Sequence, residues 1–417
     1  ASPTTLKVLG SAGLPASTAR DGRAERAMPA KPLLKRPAGA AEMAARKRPA
    51  ASEAPRPGPC GHQALCVVGE ALIDFLPRTT KDGESCYLPK AGGSPFNVCI
   101  AARRLGLPVH FFGGLSTDLF GEELFAHLAR EGVGLELVQR VSRPSTLAFV
   151  GKAAAGADVK YAFFKENSAD RCLTRDHAAQ VSQAHTFGAV HLSLGAVTLE
   201  DAQMAEAFST LFRQSRSMGA FTCFDPNIRA NMIETGHEAY CKTLEGFIAL
   251  ADIVKASDAD IEFLCGEQAK LEDVAERWLD CGPRLVVVTR GPDGAIAFYR
   301  PADSTLASCS AAPPTRPPCT IDASGRAVPV ADTVGAGDTC TGGLLYGLLG
   351  GGGAASLAPQ LAGGAAWDAA AVLRLQDVLA AAVAAAAINV SRPGCDPPSA
   401  KELATALATT ASTGSCD

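Results

Sequence analysis

The chain has 417 residues, 47% apolar and 20% charged, which is ample for a large buried core. This composition excludes a fully disordered, collagen-like or coiled-coil chain. The net charge of −4 argues against a dedicated nucleic-acid-binding protein, and the strongest aliphatic run, residues 378–388, is too short to span a bilayer.

The first 60 residues differ in composition from the rest. They carry 11 Lys or Arg against 4 Asp or Glu, a net charge of +7, and no aromatic residue. Without hydrophobic periodicity, residues 1–62 are predicted to be a disordered basic extension. An organelle-targeting segment, a nuclear signal and a tail of no specific function all stay open. We expect a cytoplasmic protein, or a plastid or mitochondrial one if the extension is a targeting segment.

The 14 cysteines are scattered singly, and no two of them form a Cys-x-x-Cys pair. A zinc centre needs clustered ligands, and a disulfide framework is typical of small cysteine-dense chains. The cysteines are therefore predicted to be small apolar side chains in a reducing compartment.

Short apolar runs alternate with amphipathic stretches of helical length from residue 65 onward. This alternation predicts a mostly parallel sheet covered by helices on both faces. The predicted strands are 65–68, 109–112, 189–192, 221–224, 253–255 and 285–289. The predicted helices are 96–105, 119–131, 199–217, 237–251 and 271–281. Two further segments, 73–87 and 146–164, predict a small antiparallel appendage, and two others, 301–318 and 350–364, predict surface insertions.

Paired glycines precede the first predicted helix. Gly92 and Gly93 are typical of a hinge or of a close approach to a ligand, and Asn97 could contact a polar group from the first helical turn. A glycine turn in which Ser94 caps the helix and Pro95 opens it explains the segment equally well.

Two motifs follow predicted strands. Asp225, Asn227 and Arg229 come directly after strand 221–224, where open α/β sheets bind ligands. These residue types bind sugar hydroxyls or phosphates, although an Asx turn is the simpler explanation of this motif alone. The segment 288–294 by itself predicts only a tight loop between two strands.

The strongest local signal is the segment ADTVGAGDT, residues 331–339, which leads into an apolar helix. Small residues at 335–337 let the backbone approach a ligand, and the start of the helix favours phosphate or a developing oxyanion. Asp338 would repel phosphate unless it acts as a general base toward an attacking hydroxyl. A glycine turn with Asp338 as a helix cap explains this motif alone equally well.

Taken in this order, the motifs resemble those of the PfkB, or ribokinase-like, family of carbohydrate kinases over residues 65–407. One family signature corresponds to the segment AGGSPFN at 91–97, continued by GGLSTDLFG at 113–121. The other signature corresponds to DTVGAGD at 332–338. Two distant signatures in the correct order make a chance match implausible.

The resemblance implies a ribokinase-like three-layer α/β/α fold with a mostly parallel central sheet and a small β lid. The kinase domain would span residues 63–410 and be followed by a tail at 411–417. The lid would comprise about 72–90 and 146–165.

The resemblance also implies roles for residues at matching positions. Asp338 would be the catalytic base, and Gly335, Ala336 and Gly337 would form the anion hole for the transferred phosphoryl group. The substrate-binding residues would be Asp74, Gly92, Gly93, Asn97, Phe163, Lys165, Asn227 and Arg229. On the nucleotide and cation side the matching residues are Thr289, Gly291, Gly294 and Gly337 for the nucleotide, Asp260 for magnesium, and Asp332 and Val334 for a monovalent cation.

Three positions depart from the family pattern. Ser257 and Asp260 stand where the family has the Asn and Glu of its metal-associated Asn-x-x-Glu, so an acid is retained for Mg²⁺ handling through water. Lys165 stands where Arg is common in the lid, which removes a bidentate fork. Val383 stands where many relatives have an Asn beside the adenine.

The implied activity is ATP-dependent phosphorylation of a sugar hydroxyl, with fructose converted to fructose 6-phosphate. The segments 69–77, 116–118 and 164–171 look most like those of fructokinases. ATP and Mg²⁺ are the implied cofactors, K⁺ is a further candidate, and neither nucleic acid nor membrane is expected as a partner. A homodimer through the lid is the candidate assembly. The alternatives are a kinase for ribose, a nucleoside or a 2-keto-3-deoxy sugar acid, and a catalytically silent scaffold of the same fold.

Overall fold

The structure is a computed structural model that describes residues 63–151, 161–195, 199–301 and 317–413. The strands are β1 Leu65–Val68, β2 Leu72–Thr79, β3 Ser85–Gly92, β4 Val109–Phe112, β5 Gly114–Ser116, β6 Gln139–Val141, β7 Thr146–Val150, β8 Tyr161–Phe164, β9 Ala189–Ser193, β10 Phe221–Asp225, β11 Ile253–Ser257, β12 Leu285–Thr289, β13 Ala295–Tyr299 and β14 Cys319–Ala323. The helices are α1 Ser94–Arg104, α2 Leu119–Arg130, α3 Arg175–Ala184, α4 Ala202–Ser217, α5 His237–Ile248, α6 Asp258–Cys265, α7 Leu271–Cys281, α8 Ala336–Leu348, α9 Ala358–Leu361, α10 Ala369–Val390 and α11 Ala400–Thr413.

The central sheet has eight strands in the order β14-β13-β12-β11-β10-β9-β1-β4. The six strands from β12 to β4 are parallel, whereas β13 and β14 run antiparallel at one edge. Helices α1, α2, α8 and α10 pack on one face, and α3, α4, α5 and α7 pack on the other. This arrangement confirms the predicted three-layer fold with a mostly parallel sheet.

The six parallel strands carry continuous apolar runs because helices bury both faces of the sheet. All six were predicted from those runs, but β9, β10 and β11 extend further, to the polar residues Ser193, Asp225 and Ser257. Helix α4 begins three residues later than predicted because the Asp201 side chain accepts a hydrogen bond from the backbone N–H of Met204 and caps it there.

A second, four-stranded sheet has the order β3-β2-β7-β8 and is called the small sheet below. The pairs β2–β3 and β7–β8 are antiparallel, but β2 and β7 are parallel. The predicted purely antiparallel appendage is therefore wrong in its central pairing. The chain passes through α1, β4, β5, α2 and β6 between the two hairpins, and this long connection allows β7 to return in the direction of β2.

The segment 350–364 is not a simple surface insertion, contrary to the prediction. Leu357 and Leu361 have no exposed surface and pack in the same core cluster as α8 and α10. The other predicted insertion, 301–318, lies largely outside the described residues, and so does the basic extension at 1–62. Helix α11 continues to Thr413, past the predicted domain end at residue 410.

Helix α10 is long and apolar enough to cross a membrane by length and composition, with a mean hydropathy of 1.7 over its most apolar window. The run 378–388 covers only half of this 22-residue helix, so the length inferred from that run is wrong. Leu375, Leu379 and Ala382 of α10 are fully buried in the core. Buried core helices of globular proteins have the same composition.

Candidate active site

The six parallel strands end at one edge of the sheet, where ligands bind in open α/β folds. Most residues assigned from the family signatures lie at this edge or at the start of a helix beside it. Asp74 lies on β2, Gly92 ends β3 and Thr289 ends β12. After the ends of β10, β11 and β12 come Asn227, Arg229, Asp260, Gly291 and Gly294, and at the starts of α1 and α8 lie Gly93, Asn97, Gly335, Ala336, Gly337 and Asp338.

Asp338 lies in the first turn of α8 and is held by two side chains from α1. Its carboxylate accepts hydrogen bonds from Ser94 Oγ at 2.6 Å and from Asn97 Nδ2 at 2.8 Å. The two sequence signatures therefore meet at one carboxylate. Neither Ser94 nor Asp338 makes a side-chain capping bond, because Gly93 and Gly335 occupy the N-cap positions. Both capping interpretations are wrong.

A serine from the central sheet extends this network. Ser193 Oγ, at the end of β9, lies 2.6 Å from Ser94 Oγ, and both groups are buried. A hydroxyl has one proton to donate, and that of Ser94 points to Asp338. Ser193 therefore donates to Ser94, and the order of donation is Ser193 to Ser94 to Asp338.

The surroundings of Asp338 favour a basic carboxylate. Burial raises its pKa, whereas the hydrogen bonds from Ser94 and Asn97 and the nearby charge of Lys255 lower it. The net result is a pKa above the ordinary value for an aspartate. A carboxylate with a raised pKa accepts a proton more readily than an exposed one.

The turn before Asp338 leaves backbone N–H groups open. Gly335 has φ 72°, and a Cβ at this position would lie 2.2 Å from Cys395 Sγ, so both the backbone and the packing require glycine. Gly337 is exposed, and among the described residues no acceptor faces the N–H groups of Gly337 or Asp338. The start of α8 thus presents open N–H groups in an arrangement that favours anions, and it is called the anion-binding turn below.

Asp74 lies on β2 beside the paired glycines. A Cβ at Gly92 would lie 2.3 Å from Asp74 Oδ2, so glycine is needed for the carboxylate to sit there. Burial and the negative charge of Asp338 raise the pKa of Asp74 to about 6, and Arg229 offsets part of this effect. Asp74, Asp338 and Arg229 therefore share one electrostatic environment.

Three residues expected around the sugar contact other parts of the protein: a backbone carbonyl, a carboxylate and an apolar cluster. Asn227, at the left-handed φ of 37°, donates its amide to the carbonyl of Leu194 at 2.6 Å, which fixes the loop after β9. Lys165 follows β8, and its ammonium lies 3.7 Å from Glu234. Phe163 packs with Leu72, Ala148 and Met232, where the small sheet meets the loop after β10.

The segment 289–294 forms the turn between β12 and β13. Gly291 is exposed in a short 3-10 helix, and Thr289 Oγ1 lies 3.4 Å from the carbonyl of Ala256. A Cβ at Gly294 would lie 2.1 Å from the carbonyl oxygen of Ala323, so this turn packs closely against the end of β14. The prediction of a tight loop between strands agrees with this geometry.

The predicted magnesium-associated acid, Asp260, is held by protein hydrogen bonds on both carboxylate oxygens. Asp260 Oδ1 accepts a bond from the N–H of Ile228, and Oδ2 accepts bonds from the N–H and hydroxyl of Ser257. Both oxygens thus tie the loop after β10 to the start of α6. Within the described ranges, no group of three His, Cys, Asp or Glu side chains could hold a metal ion.

The predicted monovalent-cation residues join two loops. Asp332 accepts hydrogen bonds from the N–H groups of Val334 and Gly394, and the carbonyl of Val334 accepts one from Asn389 Nδ2 at 2.8 Å. Carboxylate and carbonyl oxygens are suitable ligands for hard cations, and each has a second lone pair.

Two polar residues of the site, Ser193 and Lys255, were missed from the sequence, whereas Asp225 was singled out there only as part of a motif that binds sugar hydroxyls or phosphates. Ser193, Lys255 and Asp225 lie at or near the ends of β9, β11 and β10, and Lys255 Nζ binds Asp225 Oδ2 at 2.9 Å. A lysine inside the apolar run Ile253–Ser257 was the available signal, because lysine is rarely buried without a partner.

Comparison with known proteins places these features in a family. Residues 62–402 match the model of the pfkB family of carbohydrate kinases. The chain is 34% identical to a fructokinase of Rhizobium leguminosarum bv. trifolii over 284 residues, covering 68% of this chain and 79% of that protein. It is 31% identical to fructokinase-1 of Zea mays over 293 residues, covering 68% and 83%. The crystal structure of a fructokinase from Xylella fastidiosa with bound ATP superposes with a TM-score of 0.69 at 27% identity, covering 84% of this chain and 99% of that one.

Proposed function

The chain belongs to the pfkB family of carbohydrate kinases, and we propose that it transfers the γ-phosphoryl group of ATP to fructose, giving fructose 6-phosphate. The observation that carries the proposal is Asp338, a carboxylate of raised pKa held by Ser94 and Asn97 beside an open anion-binding turn. The names of the relatives support fructose as acceptor, and ATP bound to the Xylella fastidiosa fructokinase supports the donor.

In the proposed mechanism, Asp74 binds sugar hydroxyls and orients the sugar toward Asp338. Asp338 then takes the proton of the attacking hydroxyl as the oxygen approaches the γ-phosphorus in line. The N–H groups of Gly337 and Asp338 hold the oxygens of the transferring group, where negative charge has to be stabilised. The hydrogen bonds from Ser94 and Asn97 keep the carboxylate pointed at the cleft.

Two cations would assist the phosphoryl transfer, one bound mainly to the nucleotide and one beside the anion-binding turn. Magnesium bound to the nucleotide phosphates would offset their charge, and Asp260, which Ile228 and Ser257 hold by hydrogen bonds, would contact it through water. Asp332 and the carbonyl of Val334 would hold K⁺ beside the anion-binding turn. We place the nucleotide against the turn 289–294.

The small sheet would close over the sugar. Asp74 and Lys165 belong to its strands or follow them directly, and Phe163 of β8 packs against Met232, which follows β10. Closure would exclude water from the transferring phosphoryl group and limit ATP hydrolysis.

The test is ATP turnover by the purified full chain against a panel of acceptors: fructose, glucose, ribose, adenosine and a 2-keto-3-deoxy sugar acid. We expect fructose to give the highest kcat/KM. If ribose or adenosine gives the highest value, the proposed acceptor is wrong, although the assignment to the sugar kinases stands. An absence of acceptor-stimulated turnover would favour the scaffold alternative.

A further inference from the structure

A lysine ammonium is buried directly beneath the anion-binding turn. Lys255 lies on β11, is 5% exposed, and has Asp225 of the neighbouring strand as its hydrogen-bonded partner. The ion pair has an N–O distance of 2.9 Å, and Asp225 is only 2% exposed. Both charges therefore sit below the surface of the cleft.

A buried ion pair is weak evidence for stability, because the removal of two charges from water opposes their attraction. Burial lowers the pKa of Lys255, but the nearby acidic groups, Asp225 first among them, together more than offset this, and the net pKa lies above the ordinary lysine value. The side chain thus stays positively charged at neutral pH. A pair of this kind needs a reason other than packing, and its location supplies one.

The ammonium faces the turn that starts α8. A Cβ at Gly337 would lie 3.5 Å from Lys255 Nζ, so glycine leaves the space between the ammonium and the exposed turn open. An ammonium has three N–H donors, and in the described part of the chain Asp225 accepts one of them and no further acceptor is present. Two of its donors are left without a partner among the described residues, close to the open N–H groups of Gly337 and Asp338.

We propose that Lys255 is a catalytic residue that donates to the transferring phosphoryl group from beneath the Gly337 turn, with Asp225 holding it in place. This inference rests on the proposed phosphoryl transfer. Negative charge is spread over three equatorial oxygens in such a transfer, and a fixed ammonium in a dry site stabilises it without reorganisation. No bond to Lys255 forms or breaks.

The competing explanation is that Lys255 only neutralises Asp225. Three variants of the full chain separate the two: Lys255→Met, Asp225→Asn, and the double variant. Lys255→Met leaves a buried unpaired carboxylate and is expected to lower Tm, whereas the double variant replaces the pair by two neutral side chains and is expected to recover it.

The proposal predicts that the double variant stays slow although it is folded. The loss of one preorganised donor to transition-state charge reduces kcat by about 10²–10³-fold. KM for the sugar is expected to stay within about 3-fold of wild type, because Lys255 faces the phosphoryl group and not the sugar hydroxyls. A double variant with near-wild-type kcat would overturn the proposal.

A matched control exists at the opposite end of the same sheet. Arg216 and Asp252 form an ion pair at 3.0 Å, and Asp252 is 3% exposed. Asp252 precedes β11 by one residue, so this ion pair lies far from the carboxyl ends of the strands. The double variant Arg216→Met/Asp252→Asn should change Tm but leave kcat unchanged.

Binding of nucleotide analogues distinguishes failure of this inference from failure of the proposed function. The probes are ADP and a non-hydrolysable ATP analogue, whose binding does not depend on the acceptor. In the Lys255→Met/Asp225→Asn variant, affinity for the analogue should fall by about 10-fold while affinity for ADP holds, because the lysine contacts only the transferring group. Equal changes for both probes would overturn the role of Lys255 even if the wild type phosphorylates no sugar.

Discussion

The side-chain amide of Asn97 donates to the carboxylate of Asp338 at 2.8 Å, across a separation of 241 residues. This bond joins the first turn of α1 to the first turn of α8, and Ser94 adds a second bond from α1 to the same carboxylate. The helices pack closely behind the bond, since a Cβ at Gly342 of α8 would lie 2.6 Å from the Cβ of Ala101. The position of the candidate base is therefore set by helix packing and not by a loop.

Removal of the Ser94 hydroxyl should weaken catalysis without abolishing it. Ser94 lowers the pKa of Asp338 by hydrogen bonding, so Ser94→Ala should raise that pKa and move the acid limb of the pH–kcat profile to higher pH. We expect kcat at neutral pH to fall by about 10-fold, since one orienting bond is lost and the other, from Asn97, is kept. An unshifted profile would contradict the direct bond to Asp338.

Asp74 should control sugar binding. Asp74→Ala is expected to raise KM for the sugar by at least about 10-fold while KM for ATP changes little, because the lost contacts are to sugar hydroxyls. The exposed Asp82, in the turn between β2 and β3, provides a matched control, and Asp82→Ala should leave both values unchanged. A larger effect on ATP than on the sugar would contradict the assignment.

The pKa of Asp74 also predicts a pH dependence. Its pKa of about 6 in the folded protein is above the ordinary aspartate value, so the carboxyl is protonated in a range where an exposed aspartate is ionised. A protonated Asp74 binds hydroxyls less well, and kcat/KM for the sugar should therefore fall below about pH 6. The sign for folding is opposite: ionisation is disfavoured in the folded state, so this group makes the unliganded protein less stable as the pH rises from about 4 to 6.

Asp118 should stabilise the base of the small sheet. It caps α2 through the N–H of Gly121 and also accepts hydrogen bonds from the N–H and hydroxyl of Ser145, just before β7. Asp118→Ala should reduce the free energy of unfolding by about 1–2 kcal/mol, the size of a lost cap. A Tm unchanged from wild type would contradict this role.

The same carboxylate predicts a loss of stability in acid. Burial raises the pKa of Asp118, but the hydrogen bonds from Gly121, Ser145 and Ser116 outweigh that effect and the net pKa is lowered. The stability it contributes is present above the ordinary aspartate pKa of about 4 and is lost as the pH falls below it. The Tm difference between wild type and Asp118→Ala should therefore shrink as the pH falls below about 4.

Deletion of residues 1–60 should leave turnover and Tm nearly unchanged. The described core begins at residue 63, and β1 pairs with β4 and β9 from Leu65 onward. A large loss of turnover or of folding in the truncated chain would show that the basic extension contributes to the kinase domain.

The fold could be predicted from the sequence wherever burial imposes a pattern. Strands such as Leu285–Thr289 are continuous apolar runs because both faces are covered, and Leu271–Cys281 has an apolar face at helical spacing. The parallel pairing of β2 with β7 could not be predicted, because the sequences of two distant strands do not show whether they pair in parallel or antiparallel. The burial of Leu357 and Leu361 was hidden by the glycine-rich stretch before them.

The site could be predicted in part. The candidate catalytic segment around Asp338 and the glycines before Asn97 carry local signals, and the structure brings them together. The contacts of Ser193 and Lys255 depend on the strand order β9-β10-β11, which places their side chains under α1 and α8. Which residues become neighbours depends on the strand order, and the sequence indicates it only indirectly, for example by a charged residue in an apolar run.

The most direct test of the account is the turnover of Asp338→Asn. Asparagine keeps the size of aspartate but cannot accept the proton of the sugar hydroxyl. Loss of a positioned general base typically costs about 10²–10⁴ in rate, so kcat should fall by that amount while Tm stays near the wild-type value. Affinity for ATP should hold or improve, because a negative charge leaves the phosphate site. A folded Asp338→Asn protein with near-wild-type kcat would contradict the proposed mechanism.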